Sequence, residues 1–174
     1  MDNKILLALI LVFGTTSCVV FSPPMAPECD QSFEDLLLED KHLPDDWDRS
    51  RPHFDDEMNL GADNSCLVSF YFPNGSAFQV VLRYQSEEQA KIGYQNATNR
   101  ISAFDDITRN EDYKGSAEEY YFACSIEDKI DMCKYIGQYE RYVIIFHTHM
   151  NDEYMTDKDL ESTINHIDRL LIIN

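Results

Sequence analysis

The sequence predicts an α+β domain: an antiparallel sheet of about four strands against two amphipathic helices, ordered β-β-α-β-β-α after a short N-terminal helical arm. Three observations lead there. CLVSFYF (66–72) and AFQVVLRY (77–84) are β-rich runs joined by the turn residues PNGS. SEEQ at 86–89 is a capping box, and Ala90, Tyr94, Ala97, Ile101 and Phe104 then recur at helical spacing. TDKDLESTINHIDRLLII carries a second apolar stripe, Leu160, Ile164, Ile167 and Leu171, behind a Thr156 cap with Asp159 as the N3 acid.

The elements follow in order. In SFEDLLLEDKHLPDDW, Ser32 caps a short helix with Asp35 three residues on, Phe33, Leu36 and Leu37 form its apolar face, and Pro44 ends it. Trp47 is a partly buried anchor among aspartates. Residues 48–63 are polar and turn-rich, a loop folding back on the sheet edge through Phe54, Met58 and Leu60. The hairpin 66–84 follows, then a helix to about Asp106. YYFACSI (120–126) is the third strand. EDKIDM is a loop reaching Cys133, Gly137 breaks the chain, and 139–149 is the fourth strand. Phe70, Phe72 and Phe78 are expected to fill one side of the sheet. Tyr71, Tyr84, Tyr121 and Tyr142 are expected to pack on the helices, with a cleft or partner surface as the alternative.

Ahead of this domain, MDNK precedes the ten-residue apolar run ILLALILVFG, and TTSC follows. That is the layout of an export signal, and the run is shorter than the roughly 20 apolar residues of a transmembrane helix. A retained anchor or a buried N-terminal element is the alternative. The tetrapeptide Thr15-Thr16-Ser17-Cys18 resembles the cleavage site of bacterial lipoprotein signal peptides, although Thr15 stands where leucine is usual. The resemblance implies removal of residues 1–17, acylation of Cys18, and export to the outer face of a bacterial membrane. Residues 18–32, with three prolines, then form a short tether, and 33–174 form the domain.

The cysteine count agrees with that reading. Of Cys18, Cys29, Cys66, Cys124 and Cys133, setting Cys18 aside leaves four. Three pairings are open to them. Cys124 with Cys133, across a turn, is favoured, leaving Cys29 with Cys66. Reduced, buried thiols are the alternative for a cytosolic chain.

A net charge of −18 disfavours nucleic acid and anionic lipid heads as partners. Asp2 and Lys4 cancel, so the charge survives processing. The membrane is therefore reached through acylated Cys18, and the chain is expected to be a monomer.

No nucleophile elbow, P-loop or dinucleotide fingerprint is present, and no cofactor is expected. His147 and His149, two apart on a strand, share a face; with Asp152 and Glu153 they form a candidate metal set, whereas the acidic clusters at 45–48 and 55–57 lack the alternating-ligand loop of a Ca²⁺ site. Solvated or half-buried histidines at a strand end are the simpler reading. LLLEDKHLPDDW, with the strand-to-helix passage VVLRYQSEEQA, resembles small exported sensor-like or solute-binding-like domains of bacterial envelope proteins. That resemblance is structural and carries no catalytic or ligand-binding residue. An exported, disulfide-stapled, acidic chain without a catalytic set is expected to be a non-enzymatic envelope domain binding a protein or small ligand. A cell-surface metal-dependent or carboxylate hydrolase built on the His147/His149 region is the alternative.

Overall fold

A computed structural model describes residues 28–43, 46–101, 107–109, 115–127, 130–150 and 152–172. The hairpin forms where the turn chemistry places it. Strands β2 (Asn64–Phe72) and β3 (Gly75–Arg83) pair in register from Asn64↔Arg83 to Phe72↔Gly75, around Pro73 and Asn74. Asn74 takes the positive φ, 63°, that this tight connection needs.

Helix α1 (Glu87–Ile101) follows. The Ser86 hydroxyl accepts from the Gln89 N–H at 3.2 Å, while the Gln89 side chain reaches the Gln85 N–H rather than closing a capping box on Ser86. Gly93 lies on the buried face of this helix. A Cβ there would lie 2.2 Å from the Tyr84 ring, so glycine lets α1 sit directly on that ring. Helix α2 (Asp157–Ile172) begins on a reciprocal cap, with Thr156 N–H and Oγ1 both donating to Asp159 and the Asp159 N–H returning to Thr156 Oγ1.

The remaining strands are β1 (Asp48–Arg49), β4 (Ile107–Arg109), β5 (Glu119–Glu127), β6 (Ile130–Tyr139) and β7 (Tyr142–His149). They join the hairpin in one antiparallel sheet of order β1-β2-β3-β7-β6-β5-β4, with β1 only two residues long. The expected four-strand β-β-α-β-β-α architecture is therefore incorrect. Segment 130–139, expected as a loop and a glycine break, is the ten-residue strand β6, flanked by β5 and β7. It was obscured because both its faces are covered, so its polar and apolar residues do not alternate. Gly137 is a strand residue that the Tyr135 and Tyr139 rings converge upon; a Cβ would lie 2.6 Å from the Tyr135 hydroxyl.

One sheet face buries Leu67, Val80, Leu82, Ile136, Val143 and Ile145 under α1. The other buries Phe70, Val81, Phe122, Tyr135, Ile144 and Phe146 against α2 and the N-terminal arm. Phe70 and Phe72 belong to the second face and Phe78 to the first, so the three do not share a side. The arm is two short 3-10 turns, Gln31–Leu36 and Asp40–His42. Asp30 caps the first by accepting from the Ser32 N–H at 3.0 Å, whereas the Ser32 hydroxyl accepts from Arg83. Gln79, fully buried in β3, fixes the arm. Its amide donates to the Leu36 carbonyl (3.0 Å) and accepts from the Leu38 N–H (2.8 Å).

Disulfides join Cys29 to Cys66 and Cys124 to Cys133. The first ties the arm to β2. The second links directly opposed residues of β5 and β6. Among the described residues, no helix is long and apolar enough to cross a membrane.

Candidate functional site

On the α1 face, register places Phe78, His147 and Lys134 in one row across β3, β7 and β6. Directly opposed residues of antiparallel strands share a face, so these side chains are neighbours. The Phe78 and His147 rings meet edge to face at 4.9 Å. Lys134 is 8% exposed. Ile145 lies two residues before His147 on the same face.

Ala97 and Arg100, one helical step apart on α1, roof this row. The side wall is Met58 and Leu60, from the loop that reverses at Leu60 and Gly61, both at positive φ (49° and 82°). Leu60 is a non-glycine residue in a costly conformation. Two hydrogen bonds hold the loop there: Arg100 Nη1 to the Glu57 carbonyl at 3.0 Å, and the Tyr84 hydroxyl to the Leu60 carbonyl at 3.5 Å.

These residues enclose a pocket of about 220 Å³. Its walls are mainly apolar, with Arg100, Lys134 and His147 as the polar lining; none of its described lining residues is acidic. Burial, with the Lys134 charge and then His149, pushes the His147 imidazole down to about 4, so it is neutral at pH 7. Its Nε2 is buried and has no hydrogen-bond partner among the described residues.

A larger cleft of about 660 Å³ lies at the far end of the sheet, between the arm, the β6–β7 turn and the end of α2. Asp35, Glu118 and Glu140 line it with Arg141 and Tyr142. Beside it, the Tyr135 and Tyr139 hydroxyls hydrogen-bond at 2.6 Å, Tyr139 donates to Asp168, and Asp168 accepts from the Ser116 N–H at 3.1 Å. Burial, the neighbouring Tyr135 and the Asp168 carboxylate raise the Tyr139 phenol far above its ordinary range, so it stays protonated as the donor.

The candidate metal set does not assemble. The His147 and His149 rings are 6.3 Å apart, and His149 Nδ1 accepts from the Ser76 N–H at 3.3 Å. Asp152 and Glu153 are exposed in the turn after β7. Among the described residues no three His, Cys, Asp or Glu side chains converge on a metal position. The hydrolase alternative loses its proposed site. The four tyrosines are dispersed as well: Tyr84 is buried under Gly93, Tyr121 is half-buried on the α1 face, Tyr142 is in the far cleft, and Tyr71 is 54% exposed. Cys18 lies outside the described residues.

Of the pocket residues, only His147 is a candidate site residue from sequence; Met58, Leu60, Phe78 and Ala97 are expected there as packing residues. Lys134 was missed because its strand was missed. The signal was available as a lysine inside the apolar run Met132 to Ile136. Arg100 reads as an ordinary cation near a helix C-terminus.

No protein-family model matches the chain, and no curated protein matches it. Among solved structures, it resembles the extracellular domain of PknH from Mycobacterium tuberculosis, with a TM-score of 0.59 and 10% sequence identity. The match covers 83% of this chain and 97% of that one. At this identity the likeness is one of fold.

Proposed function

We propose that this chain is an exported, lipid-anchored, non-enzymatic binding domain of a bacterial cell envelope, with the pocket under α1 as its ligand site. The pocket carries the reading. Small-molecule sites are mostly apolar concavities with a few placed polar groups, and this pocket has that composition. The far cleft has acids along its lining instead. No hydroxyl, thiol or carboxylate side chain stands beside His147 in the described lining of the pocket, which favours binding over catalysis.

Export is supported from three sides. The Thr-Thr-Ser-Cys site follows an apolar run. Two disulfides suit an oxidising compartment. The fold resembles a domain described as extracellular. Acylation of Cys18 would hold the domain at the membrane, since each buried methylene contributes about 0.8 kcal/mol.

Two measurements test this reading. Intact mass of membrane-extracted protein should show a chain beginning at acylated Cys18; an unmodified leader would remove the anchor. For the pocket, the purified full chain is titrated calorimetrically with three isosteres: 3-phenylpropionate, 3-phenylpropan-1-ol and 3-phenylpropylamine. At least one should bind saturably and lose binding in Ala97→Leu, which fills the roof. If all three fail to saturate, the pocket is not a ligand site.

A further inference from the structure

We infer that the ligand site continues past Leu60 into a second cavity along α1, and that it takes an elongated, uncharged amphiphile: an apolar body with a hydroxyl-rich head of the sugar kind. This rests on the pocket under α1 being the ligand site; it adds a subsite and the ligand's chemical class.

Leu60 is a wall of both cavities. The pocket of about 220 Å³ lies under Ala97 and Arg100, and the second cavity, of about 230 Å³, lies at Gln89, Gly93 and Asn96. Those helix residues recur at spacings of three and four, so they form one stripe along α1. The 57–63 segment follows that stripe. Arg100 holds its start through the Glu57 carbonyl, and Gln85 holds its end through Asp63, whose Oδ1 accepts from the Gln85 amide at 2.9 Å. The two cavities are therefore successive lengths of one groove between α1 and this segment, with Leu60 dividing them. Either alone is smaller than the roughly 300–1,000 Å³ of drug-sized ligand sites, and the two together fall within it.

The two lengths differ in chemistry. Met58, Phe78 and Ile145 make the inner one apolar. The outer one carries Asp63, Gln89 and Asn96 beside Tyr84. Gln89 Oε1 accepts from the Gln85 N–H at 3.2 Å, which fixes this amide and leaves its N–H donors to other partners. Asn96 is exposed two helical turns further on. Amides both donate and accept, and a carboxylate accepts. A hydroxyl also does both, so a head with several hydroxyls matches this set. An anionic head would face the Asp63 carboxylate, and an ammonium head would leave the amide donors unused.

Leu60 sets how the two lengths join. Its φ of 49° is costly for a residue with a side chain, and the Tyr84 hydroxyl reaches its carbonyl at 3.5 Å, the long limit of a hydrogen bond. A ligand that spans the groove displaces this divider and recovers the conformational cost.

Two probes that share one apolar body test the subsite: 3-phenylpropan-1-ol and its β-glucoside, titrated calorimetrically into the purified full chain at pH 7.5. The glucoside should bind about tenfold more tightly than the alcohol, the order of gain from one or two added hydrogen bonds. Asn96→Ala and Asp63→Asn should each bring the glucoside towards the alcohol's affinity while leaving the alcohol unchanged. Leu60→Gly removes the divider and takes the positive φ without steric cost. It should widen the ratio between the probes, weakening the alcohol through loss of apolar wall and sparing the glucoside. Far-UV circular dichroism verifies that each variant is folded. Equal binding of alcohol and glucoside, a ratio unmoved by Asn96→Ala and Leu60→Gly, or binding of 3-phenylpropionate or 3-phenylpropylamine alone would overturn the subsite while leaving the pocket as a ligand site. Failure of every probe to saturate would overturn both.

Discussion

The imidazoles of His42 and His166 stack at 3.6 Å between ring centroids, tilted by 31°, and join the N-terminal arm to α2. His42 Nδ1 also accepts from the Glu39 N–H at 3.1 Å, which closes the 3-10 turn it belongs to. Both roles require a neutral ring on His42. Protonation at Nδ1 removes the acceptor and sets a charge against the facing imidazole.

Stability should therefore fall as the medium is acidified through the imidazole range. Burial lowers both rings from the ordinary 6.5; mutual repulsion and Lys41 add to this for His42, and Arg169 and Lys41 for His166, with Glu39 opposing in both cases. The unfolded chain then takes up protons first. The stabilisation is complete above about pH 6.5 and is lost as pH falls through the lower folded-state values. His147, held down to about 4, acts with the same sign to lower pH. Urea midpoints at pH 7.5, 6 and 5 should decline in that order. His42→Gln/His166→Gln should flatten the slope without abolishing it; an unchanged slope would refute the role of the pair.

Gln79 should be among the costliest polar residues to replace. Leu36 carbonyl and Leu38 N–H have it as their partner, and both lie where the arm is buried against β3. Gln79→Leu preserves approximate volume but strands two backbone groups. At about 1–3 kcal/mol for each buried unsatisfied group, a loss of about 2–6 kcal/mol is expected in chemical denaturation. A loss below about 0.5 kcal/mol would mean that the arm re-forms its bonds elsewhere.

These sites also show what could be read from residues alone. The hairpin and both helix caps were legible because their signals are local: a two-residue turn, and a hydroxyl with a partner three positions on. Strand β6 was not. Asp131, Lys134, Gly137 and Gln138 read as loop chemistry, yet each is accounted for by a neighbour distant in sequence or by the tyrosines around it. A central strand covered on both faces lacks the period of two that reveals an edge or half-exposed strand. The pocket was illegible for the same reason, since its lysine sits on that strand and its roof comes from α1. The His147/His149 pair was visible because the two are close in sequence, and that closeness overstated it.

Gly137 should resist substitution although it sits in a strand, where glycine is usually the weaker choice. A Cβ would lie 2.6 Å from the Tyr135 hydroxyl and 2.7 Å from the Tyr139 ring, displacing the hydroxyl chain that ends on buried Asp168. Gly137→Ala should cost about 1–3 kcal/mol, the usual range for overpacking. Removing the clashing hydroxyl with Tyr135→Phe should recover part of that loss. The double variant should then be less destabilised than the sum of the singles; strict additivity would refute the steric account.

The two disulfides should differ in weight. Cys29–Cys66 spans a sequence separation of 37, and Cys124–Cys133 one of 9. By the loop-entropy relation, closing the longer loop contributes about 4 kcal/mol and the shorter about 3 kcal/mol. The longer bridge also fastens the arm that carries Phe33, Leu36 and Leu37 into the core, and the carbonyl and N–H that Gln79 holds. The shorter bridge joins strands already hydrogen-bonded along nine registered pairs. Cys29→Ala/Cys66→Ala should accordingly lower the urea midpoint more than Cys124→Ala/Cys133→Ala. It should also raise hydrogen exchange at Leu38, while β5 and β6 remain protected. The opposite ranking would show that the arm is held by its apolar contacts and Gln79 alone, with the covalent tie redundant.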